Sequence, residues 1–422
     1  MTAYGNNNSN PSLRFPGNTG QWQVKTLGDV CDSILVGFPF KGQDITDDKS
    51  GHPILRAYSI GEGVIRHGKD YDKYYPHNYT SLERYQVKIN DIVISMDGSV
   101  GRNIALVSEQ EAGFLLIQRV ARLRISKYPI QLIYQQIVSQ RFKEFVAGEK
   151  VGAVIAHISQ KQIESFPVFV PSNTLEQRTV ADCLAEVDNM ISAQEQKVES
   201  LKAHKKGLMQ RLFPQPGETT PRLRFPGFTG EWEENPLSHF LHEHKTKSDG
   251  KCEVHSVSVA KGVINQVEYL GRSFAAADTS KYNLAKPGDI IYTKSPTGAF
   301  PYGIVKQNKN PYNVIVSPLY AVYTPVNQYV GYILDSYFES PVNTNNYLSS
   351  LIQKGAKNTI QISNDTFVSK SMCLPSNPAE QQKIAKCLES LDSLIAAEIQ
   401  ELESLKAHKK GLMQQLFPRP VK

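Results

Sequence analysis

Leu13-Arg14-Phe15-Pro16-Gly17, followed by Thr19-Gly20 and Trp22, returns as Leu223-Arg224-Phe225-Pro226-Gly227, Thr229-Gly230 and Trp232. Both tryptophans of the chain lie in this one motif. A second block, Pro171 to Pro214, returns as Pro375 to Pro418, and the run Glu-Ser-Leu-Lys-Ala-His-Lys-Lys-Gly-Leu-Met-Gln stands in it at 199 to 210 and again at 403 to 414. A repeat of this period decides the architecture: two half-proteins of nearly equal size joined in tandem. The segments between the markers have diverged, with faint echoes. Asn90-Asp91-Ile92-Val93-Ile94-Ser95 resembles Gly288-Asp289-Ile290-Ile291-Tyr292-Thr293, and Gly152-Ala153 with Ile158-Ser159 resembles Gly355-Ala356 with Ile362-Ser363. One scaffold carrying two different surfaces is the natural reading.

Within each half the period changes. Short runs rich in Val, Ile and Tyr and bounded by Gly, Pro and Asn, such as Asp91 to Met96, Ile104 to Val107 and Asp289 to Thr293, predict strands. The repeated block predicts a long helix, with Asn173 or Asn377 as N-cap, Glu176 or Glu380 three residues on, and Pro378 at the first helical position of the second copy. Phe213-Pro214 and Phe417-Pro418 end it. Apolar residues step by three and four through Leu184, Val187, Ile191, Val198, Leu201 and Leu208, then through Leu388, Leu391, Ile395, Leu402, Leu405 and Leu412. Such heptad seams predict an antiparallel pair within the chain, because each alone would leave an apolar stripe in water. At ~1.5 Å per residue each helix would span roughly 58 Å, a rigid spacer between two heads. The linker after Pro214 reads Gln-Pro-Gly-Glu-Thr-Thr. The two chain ends look like the missing half of a second such linker, which predicts a pseudo-twofold ring with its termini close together.

With 422 residues, 40% hydrophobic and 21% charged, the composition is that of two or three globular domains. No apolar run reaches the length of a membrane span, and Met1 to Asn10 is polar rather than a secretory signal, so the expected compartment is cytoplasmic. Five cysteines without a CxxC pair support neither a disulfide framework nor a zinc site. Cys183 and Cys387 occupy matched repeat positions beside the seam and are expected to be buried structural thiols. A net charge of +6 permits a polyanionic partner.

Catalytic signatures are missing. Neither GxxxxGK[ST] nor a strand-borne GxGxxG occurs, and Asn310-Pro311-Tyr312 lacks the second proline of an amino-methyltransferase motif. His242-Glu243-His244 has ligand-type residues but reads as a solvated loop. The remaining chemistry suits binding of a polyanion by two separate heads. The loop Ser95 to Arg102, with Gly98 and Ser99, and its counterpart around Thr293, Lys294 and Thr297 each follow a predicted strand and combine small residues with a cation, as a contact to phosphates or base edges requires. Lys150 and Gly152 with His157, and Lys354, Lys357 and Asn358 with Gln361, form a second matched pair of polar loops. The run Lys202-Ala203-His204-Lys205-Lys206 and its copy read as solvated cations near helix C-termini, near-identical because one surface is offered twice to identical partners.

This layout, two variable heads each opened by Leu-Arg-Phe-Pro-Gly-x-Thr-Gly-x-Trp and closed by a heptad helix ending in Leu-Lys-Ala-His-Lys-Lys-Gly-Leu-Met-Gln-x-Leu-Phe-Pro, closely resembles the specificity (S) subunit of Type I restriction-modification systems. The resemblance runs from Pro11 to Pro418. It implies an α+β fold of two α/β target-recognition domains in pseudo-twofold tandem, separated by two long helices packed as an antiparallel coiled coil. The boundaries it gives are a disordered polar tail over 1–10, a first target-recognition domain over 11–170, the central repeated helix over 171–214, a linker over 215–222, a second domain over 223–374 and the C-terminal repeated helix over 375–418. It further implies a noncatalytic DNA-reading subunit: each domain reads half of a split site on double-stranded DNA, and the helices fix the gap. Two methyltransferase subunits and the motor/nuclease subunits would be the partners, and these would hold S-adenosylmethionine, ATP and Mg, with no cofactor in this chain. The alternatives are a self-contained DNA methyltransferase or nuclease, and a two-headed protein-interaction scaffold.

Overall fold

The structure, a computed structural model, describes residues 10–418 apart from 100, 149–156, 216, 249, 273–277 and 355–359; of 353, 354, 360 and 361 it describes the backbone. The chain divides into two compact units, Met1–Glu195 with Glu401–Lys422, and Gln196–Gln400. The repeated helices are therefore not bodies of their own, as a boundary at each helix start would have them. Each long helix has one end in one unit and the other end in the other, because its terminal turns complete a head's core. Val180, Ala181, Leu184, Leu416 and Phe417 are buried in the core of the first unit, and Met209, Leu212, Phe213, Ile384, Ala385 and Leu388 in that of the second.

The same four-stranded antiparallel sheet builds both heads. In the first its order is Ser33–Val36, Val120–Arg124, Ile92–Ser95, Ile104–Leu106. In the second it is Leu241–Glu243, Ala321–Pro325, Ile290–Thr293, Ile304–Gln307. The central strands Ile92–Ser95 and Ile290–Thr293 are buried at every residue, which explains their unbroken apolar runs. Each is entered by a turn at a positive φ, Asn90 at 68° or Gly288 at 88°, and then by a buried aspartate. Asp91 accepts from the Lys88 amide at 2.7 Å, and Asp289 from the Lys286 amide at 2.7 Å. The faint Asn-Asp and Gly-Asp echo is this shared turn.

The long helices are Thr174–Leu212 and Pro378–Leu416. Asn173 and Asn377 cap them, each Oδ1 accepting the amide two residues on, at 2.8 and 2.9 Å. In the first unit Asp188 pairs with Lys409 at 2.5 Å and Glu195 with Lys406 at 2.9 Å; in the second, Lys197 pairs with Glu398 at 2.7 Å and Lys205 with Asp392 at 2.5 Å. In both units the numbers rise on one helix as they fall on the other, so the two helices lie side by side and antiparallel. Leu184, Val187, Val198, Leu388, Ile395 and Leu402 of the seam are buried, while Ile191, Leu201, Leu208, Leu391, Leu405 and Leu412 are half-buried.

Glu176 and Glu380 do not close a capping box on their own helix, as their position three residues beyond the cap predicts. Both are 1% exposed. Glu176 accepts from Arg14 Nε at 2.9 Å, Arg14 Nη2 at 2.7 Å and Trp22 Nε1 at 3.2 Å. Glu380 accepts from Arg224 Nε at 2.7 Å, Arg224 Nη2 at 2.8 Å and Trp232 Nε1 at 3.3 Å. The other end of each motif reaches the opposite helix: the Leu13 amide donates to Gln415 O at 3.0 Å and the Leu223 amide to Arg211 O at 2.8 Å. Every Leu-Arg-Phe-Pro-Gly motif thus ties the start of one long helix to the end of the other. The Leu13 bond also brings the first and last described segments together within the first unit.

Arg14→Ala or Arg224→Ala should destabilise its unit by about 3 kcal/mol or more, since each strands a buried carboxylate. Urea denaturation of the full chain measures this, and replacing Arg14 and Glu176 together by apolar residues should restore part of the loss.

Candidate nucleic-acid interface

In the first head the backbone brings the two sequence-selected loops together. Ser95, at the end of its strand, is buried and its hydroxyl donates to Asp97 O at 3.2 Å, so it shapes the loop from within. The Ile158 amide donates to Met96 O at 3.0 Å, and Asp97 bridges to His157 across the two segments. Asp97 Oδ1 lies 2.6 Å from His157 Nδ1 and 3.1 Å from Arg119 Nη1, which also reaches Oδ2 at 3.0 Å. Gly98, at φ 74°, and Ser99 are exposed, and a side chain on Gly98 would meet nothing within 4 Å. Ser99 O accepts from the amides of Arg102 and Asn103 at 3.1 and 3.4 Å. Arg102 is exposed, and among the described residues its guanidinium has no partner. Lys150 and Gly152 lie outside the described residues.

In the second head Thr293 is buried and its Oγ1 accepts from the Ser295 amide at 3.2 Å, the same inward role as Ser95. Lys294 through Ala299 are exposed. Thr297 and Phe300 exchange backbone hydrogen bonds at 3.0 and 2.9 Å around Gly298, at φ 51°. Gly303, at φ 102°, supports this loop; a Cβ there would stand 1.9 Å from Thr293 O. Lys354 pairs with Ile360, and Gln353 with Gln361, in a short antiparallel hairpin. Lys357 and Asn358 lie outside the described residues.

Other readings shift with the structure in hand. His242 and Glu243 lie in the strand Leu241–Glu243 rather than in a loop, and His244 follows it. Glu243 accepts from Asn364 Nδ2 at 2.6 Å, and His244 Nε2 stands 2.9 Å from Asp289 Oδ2, so the segment braces the sheet. Among the described residues no group of His, Cys, Asp and Glu is arranged to hold a metal ion. Cys183 and Cys387 are half-buried rather than fully buried. Burial pushes the Cys183 thiol up, and that of Cys31 up to about 12, which keeps both protonated.

The Lys-Lys run is the larger revision. Lys205 is 7% exposed and lies 2.5 Å from both Glu339 Oε2 and Asp392 Oδ1. Burial pulls its ammonium down, but the two carboxylates outweigh that and hold its pKa above the usual lysine value. Lys409, its repeat partner, meets Asp188, which also accepts from Gln135 Nε2 at 2.5 Å. Lys205 of the first run, and Lys406 and Lys409 of the second, are therefore cross-helix ties, not part of a solvated face. The signal was in the sequence as Asp188 and Asp392, which recur with the lysines.

Two sheet-based heads, each with its own exposed loop, are each locked to both long helices. The family described as the Type I restriction modification DNA specificity domain matches residues 19–203. The chain is 24% identical over 436 residues to the Type I restriction enzyme MjaVIII specificity subunit of Methanocaldococcus jannaschii, a match spanning 97% of this chain and 94% of that relative. It is 27% identical over 209 residues to the putative MjaX specificity subunit of the same organism, covering 46% of this chain and just under half, 45%, of that relative. The crystal structure of the Type I restriction-modification S subunit from M. genitalium superposes with a TM-score of 0.62 at 15% identity, over 98% of this chain and 100% of that one, which is a likeness of fold. The resemblance to specificity subunits of Type I restriction-modification systems thus holds in family, in curated relatives and in fold.

Gly303→Ala should displace the Thr293 loop and cost about 1–3 kcal/mol, from both its contact and its left-handed backbone, whereas Gly298→Ala, facing open space, should cost about 1 kcal/mol or less. Thermal denaturation of the two variants checks the difference.

Proposed function

We propose that this chain is the noncatalytic DNA-reading subunit of a Type I restriction-modification complex, each head contacting one half of a bipartite double-stranded site. The observation that carries the reading is the combination of one repeated scaffold, clamped identically in both units, with exposed loops of different composition at the same sheet positions. Two heads that shared a target would have no reason to present different loops at the same sheet positions. Lys294, Arg102 and their neighbours supply phosphate contacts and hence salt-dependent affinity, while other polar side chains discriminate bases. The long helices set the spacing between the half-sites, so that two short readings combine into one selective reading. Met190 and Leu394, exposed large side chains at matched repeat positions, offer the same apolar spot twice, as docking of two identical methyltransferase subunits requires. Those subunits would hold S-adenosylmethionine and methylate adenine N6, and motor subunits would consume ATP with Mg and cut DNA. The compartment consistent with this role is the cytoplasm. Among the described residues no helix is long and apolar enough to cross a membrane.

Co-expression with the neighbouring methyltransferase subunit, followed by genome-wide mapping of methylated adenines, should return one bipartite motif with a fixed gap that disappears when this chain is omitted. Methylation at the same motif without this chain would exclude the role.

A further inference from the structure

We infer that the turn entering the second strand of each four-stranded sheet carries a base-reading residue: Arg119 in the first head, directed to a guanine, and Leu319 in the second, directed to a thymine. The inference rests on the DNA-reading function proposed above and assigns residues to it that no loop motif singles out.

Sheet register makes the two positions equivalent. Leu123 lies opposite Ile92 and Tyr323 opposite Ile290, so Arg119 and Leu319 stand the same four residues before matched strand positions. The turns close alike, with the Val120 amide donating to Ile117 O at 3.3 Å and the Tyr320 amide to Ser317 O at 3.0 Å. Packing explains neither side chain. Arg119 holds a φ of 70°, a conformation that a long side chain adopts at a cost and that glycine would adopt freely. Its Nη1 spends its donors on Asp97 Oδ1 and Oδ2, and Asp97 is held from the other side by His157. Among the described residues, Nε and Nη2 have no partner, and the side chain is 58% exposed. What remains is a planar fork of N–H groups, fixed in direction by a carboxylate, and this is the geometry that takes O6 and N7 of guanine in the major groove. Leu319 is 77% exposed, the most exposed large apolar side chain among the described residues. A leucine in water at a turn beside the exposed loop gains a partner when it meets the 5-methyl group of thymine. A scaffold that keeps this turn while exchanging a braced cation for a bare leucine changes the base it prefers and leaves the fold alone.

The test is selection of randomised DNA duplexes by the full chain, in complex with its methyltransferase subunits, for wild type, Arg119→Gly, Arg119→Lys and Leu319→Ala. Arg119→Gly relieves the backbone strain, so loss of folding does not confound it. The expected result is that both Arg119 variants lose preference for guanine at one position by roughly 5- to 150-fold, with the other half-site unchanged. Lysine fails to rescue because it lacks the fork. Leu319→Ala relaxes one position in the other half alone. If Arg119→Lys keeps the full preference while Arg119→Gly weakens all sequences equally and lowers the salt slope by about one, Arg119 is a phosphate contact and the inference is overturned. Unchanged motifs in the variants overturn it as well. A wild-type complex that enriches no motif at all refutes the DNA-reading function itself, a separate failure visible before any variant is made.

Discussion

Everything else in this chain hangs on two buried carboxylates. Glu176 and Glu380 sit in the first turn of the long helices, where a side chain is normally free to bond its own cap, and both are instead enclosed and given over to an arginine and a tryptophan from more than a hundred residues away. An enclosed carboxylate without partners is costly, so the arginine fork and the indole N–H are obligatory rather than decorative. Because Trp22 also opens the strand that pairs with Pro167–Pro171, and that strand leads straight into the helix, one triad sets the angle at which helix, strand and motif meet. Glu233, next to Trp232, pairs with Leu374 in the same way in the second head.

The same logic explains why the repeat is nearly perfect in some places and faint in others. Residues that bond across elements at an enclosed carboxylate, Arg14 with Glu176 or Arg224 with Glu380, cannot change alone, since a single change leaves a charge buried and unpaired. Residues that only fill a sheet, such as Val93 and its counterpart Ile291, need to remain apolar and of a suitable size, and they have drifted. Even the buried aspartate at the strand entry keeps its backbone bond while exchanging its side-chain partner, Arg124 in one head and His244 in the other.

Much of this was legible in the sequence. The helix limits follow from Asn173, Asn377, Pro378 and the Phe-Pro stops, and the central strands from their Val-Ile runs, because caps and periodicity are local properties. The antiparallel pairing of the helices followed from counting two seams in one chain. What could not be read is whatever depends on which distant residues meet. Glu176 satisfies the spacing of a capping box, and only the fold shows that Arg14 and Trp22 take it instead. Lys205 stands in a run of cations that local rules assign to solvent, and Arg119 belongs to no motif, since its neighbour Asp97 lies on another strand connection. Ser95 and Thr293 have the right chemistry for contacting DNA, yet they end strands buried on both faces, and their hydroxyls bond the loop backbone instead.

That division between what is tied and what is free bears on how such a chain acquires a new target. The clamps lie at the base of each head, on the helix starts and the strand pairs beside them, while the loops after Ile92–Ser95 and Ile290–Thr293 and the turns at Arg119 and Leu319 lie at the strand ends. A substitution at an exposed side chain of such a turn, as at Leu319, disturbs no buried charge, because the turn is held by its own Ser317–Tyr320 backbone bond and by Asn283 Nδ2 on Tyr320 O at 2.8 Å. A surface side chain at such a turn is therefore able to change without disturbing the buried clamp of its own head. A head whose exposed turns also carried the buried charge would have to change both at once, and placing Glu176 and Glu380 in the first turns of the helices, under the Leu-Arg-Phe-Pro-Gly motifs, removes that coupling.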